Sequence, residues 1–204
     1  MVLRDRNHPS IFMWSIGNEI LEQSDSTGIK IGKELAAIVK KLDQTRLVIS
    51  ALNDPRPTNK IYQSGALDIV RFNYHHQDFA NFQKNFPGQK FIGTETVSAL
   101  EPRGHYDLIT SDSTHRWPKC RDIPFNEGNK DFTVSAYDTI SAPWGFTYEE
   151  TWKVIKKYAF LAGQYIWTGF DYIGKSTPYH WPARSSYFGI IDLAGFPKDV
   201  YYMY

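Results

Sequence analysis

The chain has 204 residues, 42% of them hydrophobic and 16% aromatic, enough for one substantial core. It has no apolar run of about 18 residues, so no membrane span is expected, and 23 basic against 22 acidic side chains leave a formal charge of +1, which gives no electrostatic reason for a nucleic-acid or membrane partner. Cys120 is the only cysteine, which rules out an intrachain disulfide and argues against a cysteine-based metal cluster.

The first stretch with chemical content is residues 4–20, RDRNHPSIFMWSIGNEI. Asn7, His8, Pro9 and Ser10 are turn formers, and residues 11–16, apolar except for Ser15, read as a strand buried on both faces. Gly17, Asn18 and Glu19 end it. In a parallel α/β sheet or barrel, ligands gather at the carboxyl ends of the strands, which gives an Asn-Glu pair there a chemical setting. A lone Glu after a strand would otherwise be an ordinary loop acid.

Residues 26–42 carry Ile31, Leu35, Ile38 and Leu42 at helical spacing among lysines and glutamate, which predicts an amphipathic helix with Ser24, Asp25 or Ser26 as its cap. Residues 47–52 (LVISAL) read as the next strand, and Pro55 and Pro57 make 53–59 a loop. Residues 68–74 (DIVRFNY) are a third strand, 78–85 a helix, and 90–94 (KFIGT) a fourth strand ending at Glu95. From 97 to 146, prolines and glycines interrupt every window. Because Tyr106, Trp117, Phe125, Phe132, Tyr137 and Trp144 would be costly to leave in water, this segment is expected to be an ordered lid or wall.

Thr147 opens a second helix with Glu150 at capping-box spacing and Gly163 as its stop. Residues 165–168 (YIWT) are a fifth strand, and a last helix starts near Lys198. No repeat or linker divides the chain, so 1–204 reads as a single catalytic unit. Five strands with helices between them predict an α/β fold, a partial TIM (β/α)8 barrel of approximately strands four to eight, since a complete one needs eight strands and about 250 residues.

Glycoside hydrolysis with retention needs two carboxyl groups flanking the anomeric carbon, one to attack and one to protonate the leaving oxygen. Glu19 and Glu95, at equivalent strand ends, are the candidate pair. The string from Arg4 to Glu19 resembles, without a gap, the acid/base signature of glycoside hydrolase family 2, whose barrel enzymes carry Asn-Glu at the end of the fourth strand. That resemblance implies Glu19 as general acid/base and Glu95, in FIGTETVSAL, as nucleophile at the end of the seventh strand. Glu101, followed by Pro102, is a weaker alternative. It also implies that Asn18 binds the sugar 2-hydroxyl, that Tyr74 donates to the nucleophile and that Trp167 forms the aromatic floor of the sugar subsite. His75 and His76 could line the mouth, although paired loop histidines are more often exposed.

Within the family, WTGFDYIG, TPYHWPARSSYFGIIDLAGFPKD and SAYD…APWG…EETW resemble β-galactosidases of Bacteroidetes-type bacteria, with a departure at Lys175, where such sequences commonly have Glu. The implied substrate is a β-galactoside oligosaccharide or glycan. β-Glucuronidase and β-mannosidase are the nearest alternatives, and a non-catalytic carbohydrate-binding barrel remnant is the reading from another class. No cofactor is required by this chemistry, and the Mg2+ of some family members would find few ligands here. The resemblance also implies β-sandwich domains and the first three barrel strands outside this sequence. Location and oligomeric state stay open.

Overall fold

A computed structural model describes residues 1–106, 115–116 and 134–204. The chain divides into two compact units, Met1–Glu95 with Tyr158–Gln164, and Thr96–Lys157 with Tyr165–Tyr204.

In the first unit, a short helix α1 (Val2–Asp5) leads to strand β1 (Met13–Asn18), helix α2 (Thr27–Leu42), strand β2 (Leu47–Ala51), a helical turn α3 (Lys60–Gln63), strand β3 (Val70–Asn73), a 3-10 segment (His76–Asn81) running into α4 (Phe82–Asn85), and strand β4 (Phe91–Val97). β1 pairs with β2 and β3 with β4, both in parallel. A parallel bridge between Leu52 and Phe72 joins the two pairs. Strand β7 (Leu161–Trp167) flanks β4. Consecutive parallel strands therefore lie side by side with helical segments between them, which is part of a TIM barrel. Among the described residues the strands do not close into a barrel.

Aromatic residues make the core here. Phe72, Phe79, Phe82, Phe86 and Phe91 are all buried, with ring centroids 4.8 Å apart for Phe79–Phe91 and Phe82–Phe91. Such edge-on contacts add to the area each ring removes from water. β1, by contrast, is not buried on both faces: Trp14 is buried, while Ser15 and Asn18 are exposed. Trp14 donates its indole N–H to Asp43 at 2.8 Å.

The Asp43 carboxylate also accepts from the Thr45 hydroxyl and backbone N–H and from Arg46. These bonds, the Thr45 hydroxyl first, hold it well below the usual carboxylate range. A depressed carboxylate stabilises the fold above its unfolded value and loses that contribution as pH falls through its folded value. Asp43→Ala is therefore expected to lower the thermal midpoint at pH 7, and thermal melts should show the deficit shrinking below pH 4.

Ser26 is the N-cap residue of helix α2 and makes no capping bond with its side chain; Asp25, just before it, accepts from Thr27 N–H at 2.7 Å. Its buried face differs from the one its large apolar residues predict. Gly28, Gly32 and Ala36 are buried, whereas Leu35 and Ile38 are exposed. A methyl group at Gly28 would strike the Glu22 carbonyl, and one at Gly32 would sit 2.9 Å from Ser64 Oγ. Close backbone approach to the 3-10 turn at Leu21–Ser24 and to α3 selects the small residues, and the larger ones turn outward.

The second unit contains a two-residue parallel pair, β5 (His115–Arg116) with β6 (Ile140–Ser141), helix α5 (Tyr148–Lys157) and a terminal 3-10 turn (Asp199–Met203). The capping box of α5 forms as its sequence predicts: Thr147 N–H donates to Glu150 Oε2 at 2.9 Å, and Glu150 N–H reaches back to Thr147 Oγ1. Asp138 accepts the N–H groups of Tyr148 and Glu149, so the first turn is fully supplied with acceptors.

The helix stops at Lys157, not at Gly163. Gly163 lies inside β7 with φ +149, a conformation open to glycine. Pairing of Phe91 N–H with the Phe160 carbonyl draws these residues into the sheet and overrides their helical spacing.

Parts of the irregular segment 97–146 pack tightly. Val97, Ala99 and Tyr148 form one buried cluster with Val200, and Leu100, Ile140 and Ala142 another with Phe188. Tyr106, Tyr137 and Trp144 are more than a third exposed, against the expectation that the segment's aromatics are covered. Trp117, Cys120, Phe125 and Phe132 lie outside the described residues.

Candidate active site

Three strand ends of the first unit supply the polar groups. Glu19 follows β1, Tyr74 follows β3, and Glu95 lies on β4. Two local distortions aim them. Between Ser15 and Asn18, β1 advances one residue more than β2, and between Phe72 and Asn73, β4 advances one residue more than β3. Because strand side chains alternate between faces, a one-residue slip moves everything beyond it to the other face, so each shift sets which way its carboxylate points.

The backbone then turns left-handed at Glu19 (φ +48), Tyr74 (φ +51) and His75 (φ +54). For residues with a Cβ this costs of order 1 kcal/mol each, and such strain gathers at functional sites. It is held in place by hydrogen bonds from Glu19 N–H to the Ala51 carbonyl at 2.9 Å and from Tyr74 N–H to the Glu95 carbonyl at 2.7 Å.

The side chains converge on Asn73, which is fully buried at the end of β3. Its Nδ2 donates to Glu19 Oε1 at 2.9 Å, to Asn18 Oδ1 at 3.0 Å and to Glu95 Oε2 at 3.3 Å. Its Oδ1 accepts from the Thr94 hydroxyl at 2.7 Å. The Tyr74 hydroxyl donates to the other oxygen of Glu95 at 2.6 Å. Asn18, Glu19, Tyr74 and Glu95, the residues singled out in the sequence, thus share one hydrogen-bonded group whose hub, Asn73, the sequence did not mark. An asparagine at the end of an apolar strand, beside Tyr74, was its only signal.

The remaining candidates fall elsewhere. Trp167 belongs to the second unit, where its indole N–H donates to the Tyr172 hydroxyl at 3.3 Å and its ring packs on the Leu100, Ile140, Ala142 and Phe188 cluster. Glu101 is buried in that unit, with its backbone carbonyl accepting from Lys198 Nζ. His75 Nε2 lies 3.0 Å from the Asn53 carbonyl oxygen. His76, contrary to expectation, is buried against Phe79. Among the described residues no group of three or more His, Cys, Asp and Glu side chains could hold a metal ion.

Parallel strands in sequential order, with two carboxylates at their carboxyl ends, define the part of a TIM barrel that bears a two-carboxylate site. Comparison with known proteins gives the particular family. The family model for the TIM barrel domain of glycosyl hydrolases family 2 matches residues 1–189. The β-galactosidase BoGH2A of Bacteroides ovatus is 46% identical over the whole of this chain and 27% of its own length. A provisionally named β-glucuronidase of Formosa agariphila is 31% identical over the whole chain and 20% of its own. Among solved structures, a β-glycosidase from Bacteroides vulgatus superposes with a TM-score of 0.74 at 31% identity, covering 98% of this chain and 26% of that one. The chain belongs to glycoside hydrolase family 2 and spans about a quarter of the length of these relatives.

Proposed function

We propose that this chain carries the catalytic carboxylates of a retaining glycoside hydrolase that cleaves terminal β-D-galactosides. The observation that supports this most is the bridging of Glu19 and Glu95 by the Asn73 amide. Bonds of 2.9 and 3.3 Å to one nitrogen hold the two oxygens within about 6.2 Å of each other, below the roughly 6.5–9.5 Å that an inverting enzyme leaves for its water.

Glu95 attacks the anomeric carbon while Glu19 gives its proton to the departing aglycone oxygen, leaving the sugar esterified to Glu95. Glu19, now a carboxylate, takes a proton from a water whose oxygen attacks the same carbon, and Glu95 departs as a carboxylate. The Tyr74 hydroxyl favours the ionised nucleophile by donating to it. Asn18 is read as the partner of the sugar 2-hydroxyl and Trp167 as the floor beneath the ring. The whole of residues 1–204 is read as one catalytic-barrel segment.

Galactose ranks above glucuronic acid because the 46% identical relative is a β-galactosidase. The named β-glucuronidase relative keeps that sugar as the second reading. Aryl β-galactoside, β-glucuronide and β-mannoside should be tested side by side. Turnover confined to the galactoside is expected; preference for the glucuronide would replace the sugar assignment, and silence on all three from folded protein would favour a non-catalytic carbohydrate-binding role.

A further inference from the structure

Asn73 sits between the two carboxylates in a way that goes beyond ordinary burial, and we propose that it is a positioning residue that sets the Glu19 and Glu95 carboxylates relative to each other. This rests on the reading of those two residues as acid/base and nucleophile.

Its amide orientation is determined by its neighbours. Turned over, Asn73 would place its carbonyl oxygen against Asn18 Oδ1, Glu19 Oε1 and Glu95 Oε2, three acceptors with no proton among them when the carboxylates are ionised. The Thr94 hydroxyl, donating to Oδ1 at 2.7 Å, holds the productive orientation from behind. The buried amide cannot swing away without leaving its polar atoms unpaired.

One NH2 group has two protons for these three acceptors, so its bonds are redistributed as charge moves between the carboxylates. When Glu19 is protonated and Glu95 ionised, the amide favours Glu95. Once Glu95 is esterified and Glu19 is ionised, it favours Glu19. A single rigid donor can thereby serve both halves of a double displacement, stabilising whichever carboxylate carries the charge.

The test has two arms. In the 15N–1H spectrum of the chain, the Asn73 side-chain amide is expected as two well-separated, exchange-protected signals that move with Glu19→Gln and also with Glu95→Gln. Signals indifferent to either substitution would overturn the bridge whether or not the chain hydrolyses a glycoside.

The second arm compares galactosides of graded leaving group. Asn73→Leu should lower kcat/KM by about 10- to 100-fold, as expected for a lost hydrogen bond to a charged group. The loss should be greatest for alkyl aglycones, which depend on a well-placed acid. Asn73→Asp keeps the size and the acceptor for Thr94, but it offers the carboxylates either a like charge or, when protonated, a single O–H in place of two amide protons, so it should also lose activity, most on alkyl aglycones. An equal loss on every leaving group would mean that Asn73 supports only the fold and would overturn the proposal. Absence of turnover in the unsubstituted chain would count against the hydrolase reading and leave the amide signals to decide the bridge.

Discussion

Glu95→Gln is expected to reduce galactoside turnover by at least about 10⁴-fold on every substrate, because an amide cannot form the glycosyl ester and no other step replaces it. Glu19→Gln should behave differently. An acid contributes about 10²- to 10⁴-fold, chiefly where the leaving oxygen needs its proton. Turnover of an alkyl galactoside should therefore collapse in Glu19→Gln, while the first step on a dinitrophenyl galactoside, whose aglycone leaves unassisted, should survive. That variant should accumulate the ester, and added azide, which attacks without a general base, should release it as the galactosyl azide. A 2-fluoro galactoside should label Glu95 in the unsubstituted chain, and peptide mass spectrometry locates the label. Label on Glu101 instead would contradict the assignment. The structure argues against that outcome, since Glu101 is buried while Glu95 holds hydrogen bonds to Asn73 and Tyr74.

Stability of the unsubstituted chain should fall as pH rises from about 4.5 to about 9, and Glu101→Gln should remove that part of the loss. Glu101 is 1% exposed, and its carboxyl is pushed up to about 9, first by burial and then by Asp138, with Lys198 opposing. Unfolded, the same side chain ionises near its ordinary value of 4.5. Between those values the folded chain holds a proton that the unfolded chain has released. Stability is then full below the unfolded value and declines by about 1.4 kcal/mol for each pH unit up to the folded one.

Burial also raises Asp138 and Asp171 and lowers Lys198, which donates to Asp171 at 2.9 Å. The comparison with Glu101→Gln therefore isolates one member of a coupled buried group. Urea unfolding at pH 5, 7 and 9 should show the variant gaining on the parent at each step. Parallel curves would mean that Glu101 is ionised in the folded chain.

Much of this protein is legible in short stretches of its sequence. The apolar runs that became β1, β2, β3 and β4, the capping box of Thr147 and Glu150, and the carboxylates Glu19 and Glu95 all depend on residues within a few positions of each other. The family resemblance rests on the same local strings, and the family match upholds it. Local spacing failed where distant backbone competed for the same residues. Gly163 ends no helix because pairing beside β4 claims its segment, and α2 buries Gly28 and Gly32 because neighbouring turns approach too closely for Leu35 and Ile38.

The tertiary structure decided the register shifts in β1 and β4, the left-handed turns at Glu19 and Tyr74, and the placement of Asn73 between two carboxylates 54 and 22 positions away along the chain. A slip of one residue in strand pairing changes nothing in composition or periodicity, yet it reverses the face on which every later side chain emerges. The two carboxylates are local facts of the chain, and their meeting at one amide is a consequence of how its strands pair.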